Sequence, residues 1–330
     1  MEQYIPPFSI TNTMLTLVAE IAEKTGRITS FRSFETKPYL RRNNRIRSIH
    51  SSLAIEANSL SLDEVKNVIN GRTVIGPEKE IQEVKNAYQA YDLLGQFDPY
   101  SLRDLQKLHG IMTYLTVQES GVFRTHNEGV FNGDICIFMA PPPQFVPAQM
   151  QSLFAWMRDA KEIVHPLILS SVFHYEFVFI HPFSDGNGRV ARLWQTALLA
   201  EWNPVFQYLP LESRIHEFQD GYYDAIARCH SEGSSNTFIE FMLDKINLTL
   251  DWALDQVSEK DAYLSEAVQK LIEIMEYDVP YTATQLMKQL GLKSKDNFRK
   301  LYLLPALEKG LIIMGIPDKP TSRNQTYIRK

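Results

Sequence analysis

His181-Pro-Phe-Ser-Asp-Gly-Asn-Gly-Arg-Val-Ala-Arg192 is the stretch from which the fold can be worked out. An apolar and aromatic run over 172–180 leads into it, and a helix-forming run over 190–201 follows it. Gly186 and Gly188 let the turn adopt positive φ and approach a ligand closely. Backbone N–H groups in such a turn, at the start of a helix, form a binding site for phosphate. The stretch therefore predicts two helices joined by an anion-binding turn.

The side chains of this stretch suggest what the turn binds. Arg189 and Arg192 are three residues apart and share one face of the second helix, and guanidinium groups suit phosphate oxygens. Asp185 is a hard oxygen ligand of the kind that Mg²⁺ takes together with substrate phosphates. His181 can accept a proton near neutral pH. These residues predict a site for a nucleotide polyphosphate, held by amides, arginines and a metal ion, with a base beside it.

Two other loop types do not fit the stretch. A Walker A loop requires Gly-x-x-x-x-Gly-Lys-Ser/Thr, which is absent here. An EF-hand loop counted from Asp185 would have Val190 at its invariant glycine and Thr196 at its glutamate. A polar turn with a capping Asn remains as the alternative, but it explains neither the histidine nor the two arginines.

The same twelve residues resemble the Fic motif, H-P-F-x-D/E-G-N-G-R-x-x-R, at every defined position. Fic proteins typically transfer AMP from ATP to a hydroxyl group of a target protein and release pyrophosphate. The resemblance therefore implies ATP as co-substrate, Mg²⁺ as cofactor and a protein hydroxyl as acceptor. The motif alone does not fix the donor, because other members of the family use other nucleotides or phosphocholine.

The resemblance also implies roles for individual residues. His181 would deprotonate the target hydroxyl, and Asp185 would hold Mg²⁺ against the α- and β-phosphates. Arg189 and Arg192 would bind the β- and γ-phosphates, and Phe183 would anchor the loop in the core. The nucleotide-binding residues that it implies are Gly186, Asn187, Gly188, Arg189, Val190, Ala191 and Arg192.

A short helix predicted over about 50–58 gains a role from the same resemblance. Taken alone, Glu56 is a solvent-exposed helical glutamate. Many Fic proteins carry an inhibitory helix with the pattern S/T-x-x-x-E-G/N, and Ser52 and Glu56 have its spacing, although Ala57 replaces the usual Gly or Asn. The family pairing would join Glu56 to Arg192, and an arginine bound to a carboxylate cannot also bind the γ-phosphate. We therefore expect autoinhibition by Glu56.

The segment 130–138 predicts a β-hairpin, because β-rich residues flank Asn132-Gly133. A surface hairpin with a structural role is the simplest interpretation. The resemblance implies instead that the segment is a flap whose exposed edge pairs with the backbone of the target, a known recognition mode. The flap residues would be Val130, Phe131, Asp134, Ile135, Cys136, Ile137 and Phe138.

Two adjacent tyrosines, Tyr222 and Tyr223, lie on a helix predicted over 212–230. Packing is the simplest explanation for both, whereas the resemblance implies that a tyrosine in this region forms a wall of the adenine pocket. His109 and His174 lie among apolar residues and are interpreted as packed core histidines.

The chain of 330 residues is long enough for two or three domains. Its net charge of −5 is uneven, because positions 281–330 hold ten Lys or Arg and three Asp or Glu, a net of +7. We expect a mainly α fold with three parts: an N-terminal helical region (1–98) with the inhibitory helix, a Fic-type helical core with the β-hairpin flap (99–265), and a small winged helix-turn-helix domain (266–330).

The C-terminal part has the pattern of two helices around a glycine, over 285–290 and 294–304, followed by candidate strands over 307–313 and 326–329. Such a domain binds DNA in some proteins and only protein in others. The residues placed for groove contacts would be Lys293, Lys295, Arg299 and Lys300.

Location and partners follow from what the sequence lacks. The first residues have no basic region followed by an apolar stretch, no apolar run could span a bilayer, and the two cysteines form no pair motif. We expect a cytoplasmic protein without a membrane partner, and the sequence leaves oligomerisation open. Two rival functions remain: removal of AMP from targets, with Glu56 aligning a water molecule, and DNA-binding regulation by a protein whose Fic core senses nucleotide.

Overall fold

A computed structural model of the protein describes residues 4–30, 38–132, 135–261, 265–276, 279–317, 319–320 and 322–329. The chain divides into two compact units. The first comprises Met1–Arg27 and Asn44–Asp251, and the second comprises Ile28–Asn43 and Trp252–Lys330. The three-part division expected from the sequence stays a prediction.

Helices dominate the chain up to residue 261, which confirms the expected mainly α fold. They are α1 (Asn12–Ser30), α2 (Pro38–Ile55), α3 (Leu62–Ile69), α4 (Glu78–Asp92), α5 (Leu102–Met112), α6 (Val146–Ala160), α7 (Pro166–Ile180), α8 (Asn187–Trp202), α9 (Leu211–Glu217), α10 (Gln219–Glu232) and α11 (Asn236–Asp261). Short 3₁₀ turns lie at Leu94–Gln96, Pro143–Phe145 and Pro204–Tyr208.

The centre of the first unit is formed by α7 and α8, which pack against each other. Phe173, Phe177 and Trp194 are all fully buried. A helix that is apolar on every side must lie inside the protein, and each large apolar side chain buried in this way contributes about 1.5–3 kcal/mol. The turn between α7 and α8 therefore has a rigid helix on either side.

The local sequence explains where α7 begins. Pro166 occupies its first turn, where no hydrogen bond from its nitrogen is needed, and the His165 side chain accepts a hydrogen bond from the backbone N–H of Leu167. The ring of Phe173 meets Phe154 of α6 edge to face at 5.9 Å. The start of α7 is thus capped, and its middle is held by α6.

The predicted hairpin is formed by β1 (Gly129–Asn132) and β2 (Ile135–Met139). The strands are antiparallel, with Val130 opposite Phe138 and an irregularity between Val130 and Phe131. Asp134, which was assigned to the flap, lies outside the described residues. The side chains of the other residues assigned to the flap, from Val130 to Ile137, also lie outside the part of the chain that the structure describes.

The second unit has its own core and a small sheet. Its elements are α12 (Glu266–Ile274), β3 (Pro280–Thr282), α13 (Ala283–Gln289), α14 (Lys295–Asn297), a π-helical segment (Phe298–Leu303), α15 (Leu304–Glu308), β4 (Ile312–Met314) and β5 (Thr326–Arg329). β5 pairs antiparallel with β3 on one side and with β4 on the other. Leu271, Leu286 and Ala306 are fully buried between these elements. The winged helix-turn-helix assignment stays a prediction.

Within the part of the chain that the structure describes, no helix combines the length and the apolar character needed to cross a membrane.

Candidate active site

His181 is the residue at which α7 ends. Its backbone is left-handed, with φ 50° and ψ 58°, so the chain leaves the helix sharply. Buried Arg124 holds this end: its Nε donates to the backbone oxygen of His181 at 2.6 Å and its Nη2 to that of Ile180 at 3.3 Å. The same guanidinium donates to the oxygens of His126 at 2.8 Å and Pro141 at 2.5 Å. One side chain therefore joins the end of α7 to the chain on both sides of the hairpin.

The imidazole of His181 is set up to be neutral. Burial lowers its pKa below the usual value of 6.5, and the nearby positive charge of Arg124 acts in the same direction. The carboxylates of Glu128 and Glu56 oppose the shift without cancelling it. A neutral imidazole at pH 7 is the form that accepts a proton.

Asn187 closes the turn that follows His181. Its Nδ2 donates to the backbone oxygen of Phe183 at 2.8 Å, and its Oδ1 accepts from the backbone N–H of Phe183 at 3.0 Å. Gly186 precedes α8 with φ 83°, and a Cβ built there would lie only 2.9 Å from Cγ2 of Thr113. Glycine is therefore required at this position, and α8 begins with its N–H groups directed into the turn, as anion-binding helix termini do.

His109, on α5, supports the turn from behind. Its ring stacks on Phe183 with centroids 3.6 Å apart. Its Nδ1 accepts from the backbone N–H of Gly121 at 2.9 Å, so Nε2 carries the proton and donates to the backbone oxygen of Asp185 at 2.9 Å. Burial lowers the pKa of His109 to about 4, which keeps this neutral tautomer in place.

The first motif arginine, Arg189, lies between two carboxylates. Its Nη2 donates to Asp185 Oδ1 at 2.9 Å, and its Nη1 is 3.3 Å from Glu83 Oε1 on α4. Lys79, one turn earlier on α4, places its Nζ 3.8 Å from Asp185 Oδ2. The Arg189 side chain is 3% exposed, whereas that of Asp185 is 41% exposed.

The second motif arginine, Arg192, is bound by the end of α2 and by Glu56, the first residue after it. The short helix predicted over about 50–58 is thus the last turn of the longer α2, which ends at Ile55, and Glu56 lies in the turn that follows. Its Nε donates to Ser52 Oγ at 3.0 Å, and its Nη2 donates to the Ser52 backbone oxygen and to Glu56 Oε1, both at 2.8 Å. The Glu56 carboxylate also lies so close to the Gly188 backbone that a Cβ there would clash with it. The structure thus brings Ser52, Glu56, Gly188 and Arg192 together.

Both arginines keep buried donors that make no hydrogen bond to the part of the chain that the structure describes. These atoms are Nε of Arg189 and Nη1 of Arg192. Nη1 of Arg189 also makes no aligned hydrogen bond, but it has an ion-pair partner in Glu83 Oε1 at 3.3 Å. A buried charged donor without an acceptor is costly, because its hydration is lost and not replaced. The arrangement can therefore accept an anion with several oxygens at the start of α8.

The two tyrosines of α10 lie in different surroundings. Tyr222 is buried, and its hydroxyl is 2.8 Å from Nε2 of His174, whose Nδ1 is 2.6 Å from Gln195 Oε1. Tyr223 is 46% exposed, and its hydroxyl donates to the backbone oxygen of Ile55 at 3.4 Å, at the end of α2. Of the pair, only Tyr223 presents a ring to solvent.

The hairpin packs on other elements of the first unit through Phe138. Its ring stacks on His230 of α10 at 4.1 Å between centroids and lies 5.5 Å from the ring of Phe179 of α7. β2 is therefore attached to the helix that ends at His181.

Sequence reasoning did not single out Arg124 or Glu83, and it interpreted His109 only as a core residue. The signal for Arg124 was the Gly-x-Phe-Arg pattern before the hairpin. Glu83 lies on a helix rich in charged residues, and nothing in the sequence separates it from its neighbours.

Two protein-family models and the solved structures of other proteins match this chain. The family model described as Fic/DOC family matches residues 99–199, and the model described as filamentation induced by cAMP protein Fic-like, C-terminal domain, matches residues 266–328. Among solved structures, a Fic family protein from Desulfovibrio desulfuricans G20 is 40% identical, with a TM-score of 0.76, over 99% of this chain and 98% of that one.

Curated relatives include proteins named protein adenylyltransferase Fic. The one from Aedes aegypti is 28% identical over 235 residues, which are 67% of this chain and 44% of the relative. The one from Nematostella vectensis is 29% identical over 217 residues, 62% of this chain and 47% of the relative. The chain thus spans less than half the length of these curated relatives. The extended similarity to the Desulfovibrio desulfuricans protein and the match of the motif region place the chain in the Fic/DOC family.

Proposed function

We propose that the protein is a protein adenylyltransferase that transfers AMP from ATP to a Ser, Thr or Tyr hydroxyl of a target protein and releases pyrophosphate. Curated relatives that carry this name support the activity. The observation that carries the proposal is the set of unfilled, buried donors on Arg189 and Arg192 beside a neutral His181. Triphosphate oxygens would accept from these donors.

The residues present also fit Mg²⁺. Among the described residues no three His, Cys, Asp or Glu side chains gather as a metal site. Asp185 is a single exposed carboxylate next to the anion-binding turn. One carboxylate together with substrate phosphates is the usual way in which proteins hold Mg²⁺. When bound, the ion would neutralise phosphate charge, and Asp185 would be its protein ligand.

His181 would take the proton of the target hydroxyl. The hydroxyl oxygen forms a bond to the α-phosphorus, the bond from that phosphorus to the bridging oxygen of the β-phosphate breaks, and pyrophosphate leaves with the electron pair. Arg189, Arg192 and the amides around Gly188 would stabilise the charge on the phosphates, as donors fixed in advance do in phosphoryl-type transfer.

The flap and the tyrosines would serve the two substrates. The backbone of β1 and β2 would pair with an extended segment of the target, as in strand addition. Tyr223, with its exposed ring, would contact adenine. Tyr222 is buried, with its ring centroid 5.3 Å from that of Tyr223, and would support the Tyr223 ring from inside.

Glu56 would restrain the transfer. Its carboxylate accepts from Arg192 at 2.8 Å and lies against Gly188, where a phosphate would bind. A guanidinium donor that already serves a carboxylate is not available to the γ-phosphate. ATP would then bind weakly or in a pose that does not react.

A labelling experiment tests both parts of the proposal. Purified wild type, Glu56→Gly and Glu56→Gly/His181→Ala are each incubated with Mg²⁺ and ATP labelled at the α-phosphate, alone and with a cell lysate. We expect strong labelling with Glu56→Gly, only weak labelling with wild type and none with Glu56→Gly/His181→Ala, and mass spectrometry should find the mass of AMP on a hydroxyl side chain. The absence of any label with Glu56→Gly would contradict the proposal, and another added mass would correct the donor.

Hydrolytic removal of AMP from a target is a second candidate, because Glu56 remains 35% exposed and could align the attacking water molecule. A protein carrying AMP on a known hydroxyl separates this reaction from transfer. Loss of AMP with wild type but not with Glu56→Gly would favour removal.

DNA binding by the second unit is a candidate from another class. The observation in its favour is a set of exposed basic residues that follow Gly291, at and before α14 and the π-helical segment: Lys293, Lys295, Arg299 and Lys300. A gel-shift titration of the full chain over a salt series, compared with Lys295→Glu/Arg299→Glu, tests it. Phosphate contacts predict affinity that falls steeply with salt.

A further inference from the structure

The two carboxylates beside Arg189, those of Asp185 and Glu83, differ in their exposure to solvent. Both Asp185 and Glu83 lie close to its guanidinium, at 2.9 and 3.3 Å. The Asp185 side chain is 41% exposed, whereas the Glu83 side chain is 12% exposed. Asp185 therefore faces the solvent from which a cation would arrive, and Glu83 faces the interior.

Glu83 is also fixed in place by a second residue. Asn58 donates from Nδ2 to Glu83 Oε2 at 2.9 Å and to the backbone oxygen of Glu80 at 3.3 Å, and its Oδ1 accepts from the backbone N–H of Leu60 at 3.2 Å. Asn58 is buried. One oxygen of Glu83 is thus held by Asn58, and the other is directed at Arg189.

A buried guanidinium needs a counter-charge at all times, because removing it leaves an isolated charge away from water. Asp185 cannot serve Arg189 fully while its oxygens are engaged by a divalent cation. Glu83 has no such competing task. Because both carboxylates are present, Arg189 keeps a negative partner in Glu83 even when Asp185 binds a divalent cation.

We propose that Glu83 is a positioning residue that holds Arg189 in place and so releases Asp185 for the metal ion. The inference rests on the proposed function, since it takes Asp185 as the Mg²⁺ ligand. Without the charge of Glu83, Arg189 would depend on Asp185 alone, and the cation would have to compete with the guanidinium for that carboxylate.

Calorimetry of ATP binding over a series of Mg²⁺ concentrations tests the proposal. The parent is Glu56→Gly/His181→Ala, which exposes Arg192 and prevents turnover during the titration. Glu83→Gln in this parent should raise the Mg²⁺ concentration for half-maximal ATP affinity by about tenfold or more, the usual effect of losing a residue that orients a metal ligand. The matched control is Glu78→Gln, which makes the same charge change at an exposed position on α4.

A second measurement does not need nucleotide. Urea unfolding of Asp185→Asn, Glu83→Gln and the double variant forms a double-mutant cycle. We expect Asp185→Asn to destabilise the Glu83→Gln protein more than it destabilises the wild type, because the last counter-charge of Arg189 is then lost. An additive cycle would overturn the proposal, and so would an Mg²⁺ dependence of Glu83→Gln equal to that of Glu78→Gln. If the parent Glu56→Gly/His181→Ala binds no ATP at any Mg²⁺ concentration, the proposed function is refuted instead. The double-mutant cycle then tests the role of Glu83 by itself.

Discussion

His109 Nε2 and the backbone oxygen of Asp185 are 2.9 Å apart, so an imidazole from α5 holds the peptide group that leads into Gly186. His109→Phe keeps a ring that can stack on Phe183 but removes this bond and the one from Gly121. We expect AMP transfer by the Glu56→Gly protein to fall about 10- to 100-fold, because small displacements of a positioned group are this costly. Initial rates at saturating ATP measure the effect.

His109→Gln provides the comparison for that variant. Its amide can donate to the Asp185 oxygen, so part of the rate should return even though the aromatic stack is lost. Urea unfolding should show that His109→Phe costs about 1–3 kcal/mol for each buried group left without a partner. A His109→Phe protein with the rate of its parent would refute the positioning role.

The pH dependence of transfer should report His181. Its pKa is lowered from 6.5, chiefly by burial, so the neutral base predominates at pH 7 and above and is lost as the pH falls through the lowered pKa. We therefore expect kcat/KM of the Glu56→Gly protein to be level near pH 7 and to decline only below pH 6.5. Initial rates at constant ionic strength over pH 5–8 measure this.

Two other buried histidines cannot account for such a decline. Burial lowers the pKa of His109 to about 4 and that of His174 to about 3, so both stay neutral over this range. A decline that begins above pH 7 would contradict the assignment of His181 as the base, because it would require a raised pKa.

The motif and its two helices could be predicted from the sequence because they depend on local signals. The apolar run before His181 and the glycines after it fix α7, the turn and the start of α8. The contact of Ser52 and Glu56 with Arg192, which the structure contains, was implied by the resemblance to Fic proteins and not by local signals.

The supporting residues could not be predicted, because their partners are distant in the chain. Arg124 bonds to a carbonyl 57 residues away, and His109 to one 76 residues away. Periodicity shows which face of a helix is apolar, but it does not show which carbonyl a buried polar group will meet. Likewise, adjacent tyrosines on a helix point in different directions, and only packing decides that Tyr222 is buried and Tyr223 exposed.

Arg124 should be sensitive even to a conservative replacement. Its guanidinium donates to four backbone oxygens on α7 and beside the hairpin, and a lysine ammonium cannot span them. We expect Arg124→Lys in the Glu56→Gly protein to lower kcat about tenfold or more while ATP affinity changes little, because the base moves and the anion-binding turn is held separately by Asn187 and His109.

Rates and calorimetric ATP affinities measured on the same preparation separate these effects for Arg124→Lys. Arg158→Lys is the matched control, since Arg158 is an exposed arginine of α6 with one bond, at 3.3 Å, to a backbone oxygen. Equal losses of kcat and ATP affinity would show that Arg124 supports the fold in general rather than the position of His181.

Ala57 offers a way to strengthen the restraint by Glu56. It has φ 64° directly after Glu56, a left-handed conformation that costs a residue with a Cβ about 1–2 kcal/mol. Ala57→Gly removes this strain from the pose in which Glu56 binds Arg192. We expect the small basal transfer rate of the otherwise wild-type protein to fall about two- to fivefold, which corresponds to at most about 1 kcal/mol. Quantitative labelling with ATP measures it.

Two controls isolate the strain at Ala57. In the Glu56→Gly protein the same Ala57→Gly change should leave the rate unaltered, because no restraint is left to strengthen. Gly233→Ala makes the opposite change at φ 65°, at the end of α10 with no neighbour within 4 Å of the added Cβ. It should destabilise the fold by about 1 kcal/mol and leave the ratio of basal to Glu56→Gly activity unchanged. A basal rate that rises with Ala57→Gly would show that the left-handed residue does not hold Glu56 on Arg192.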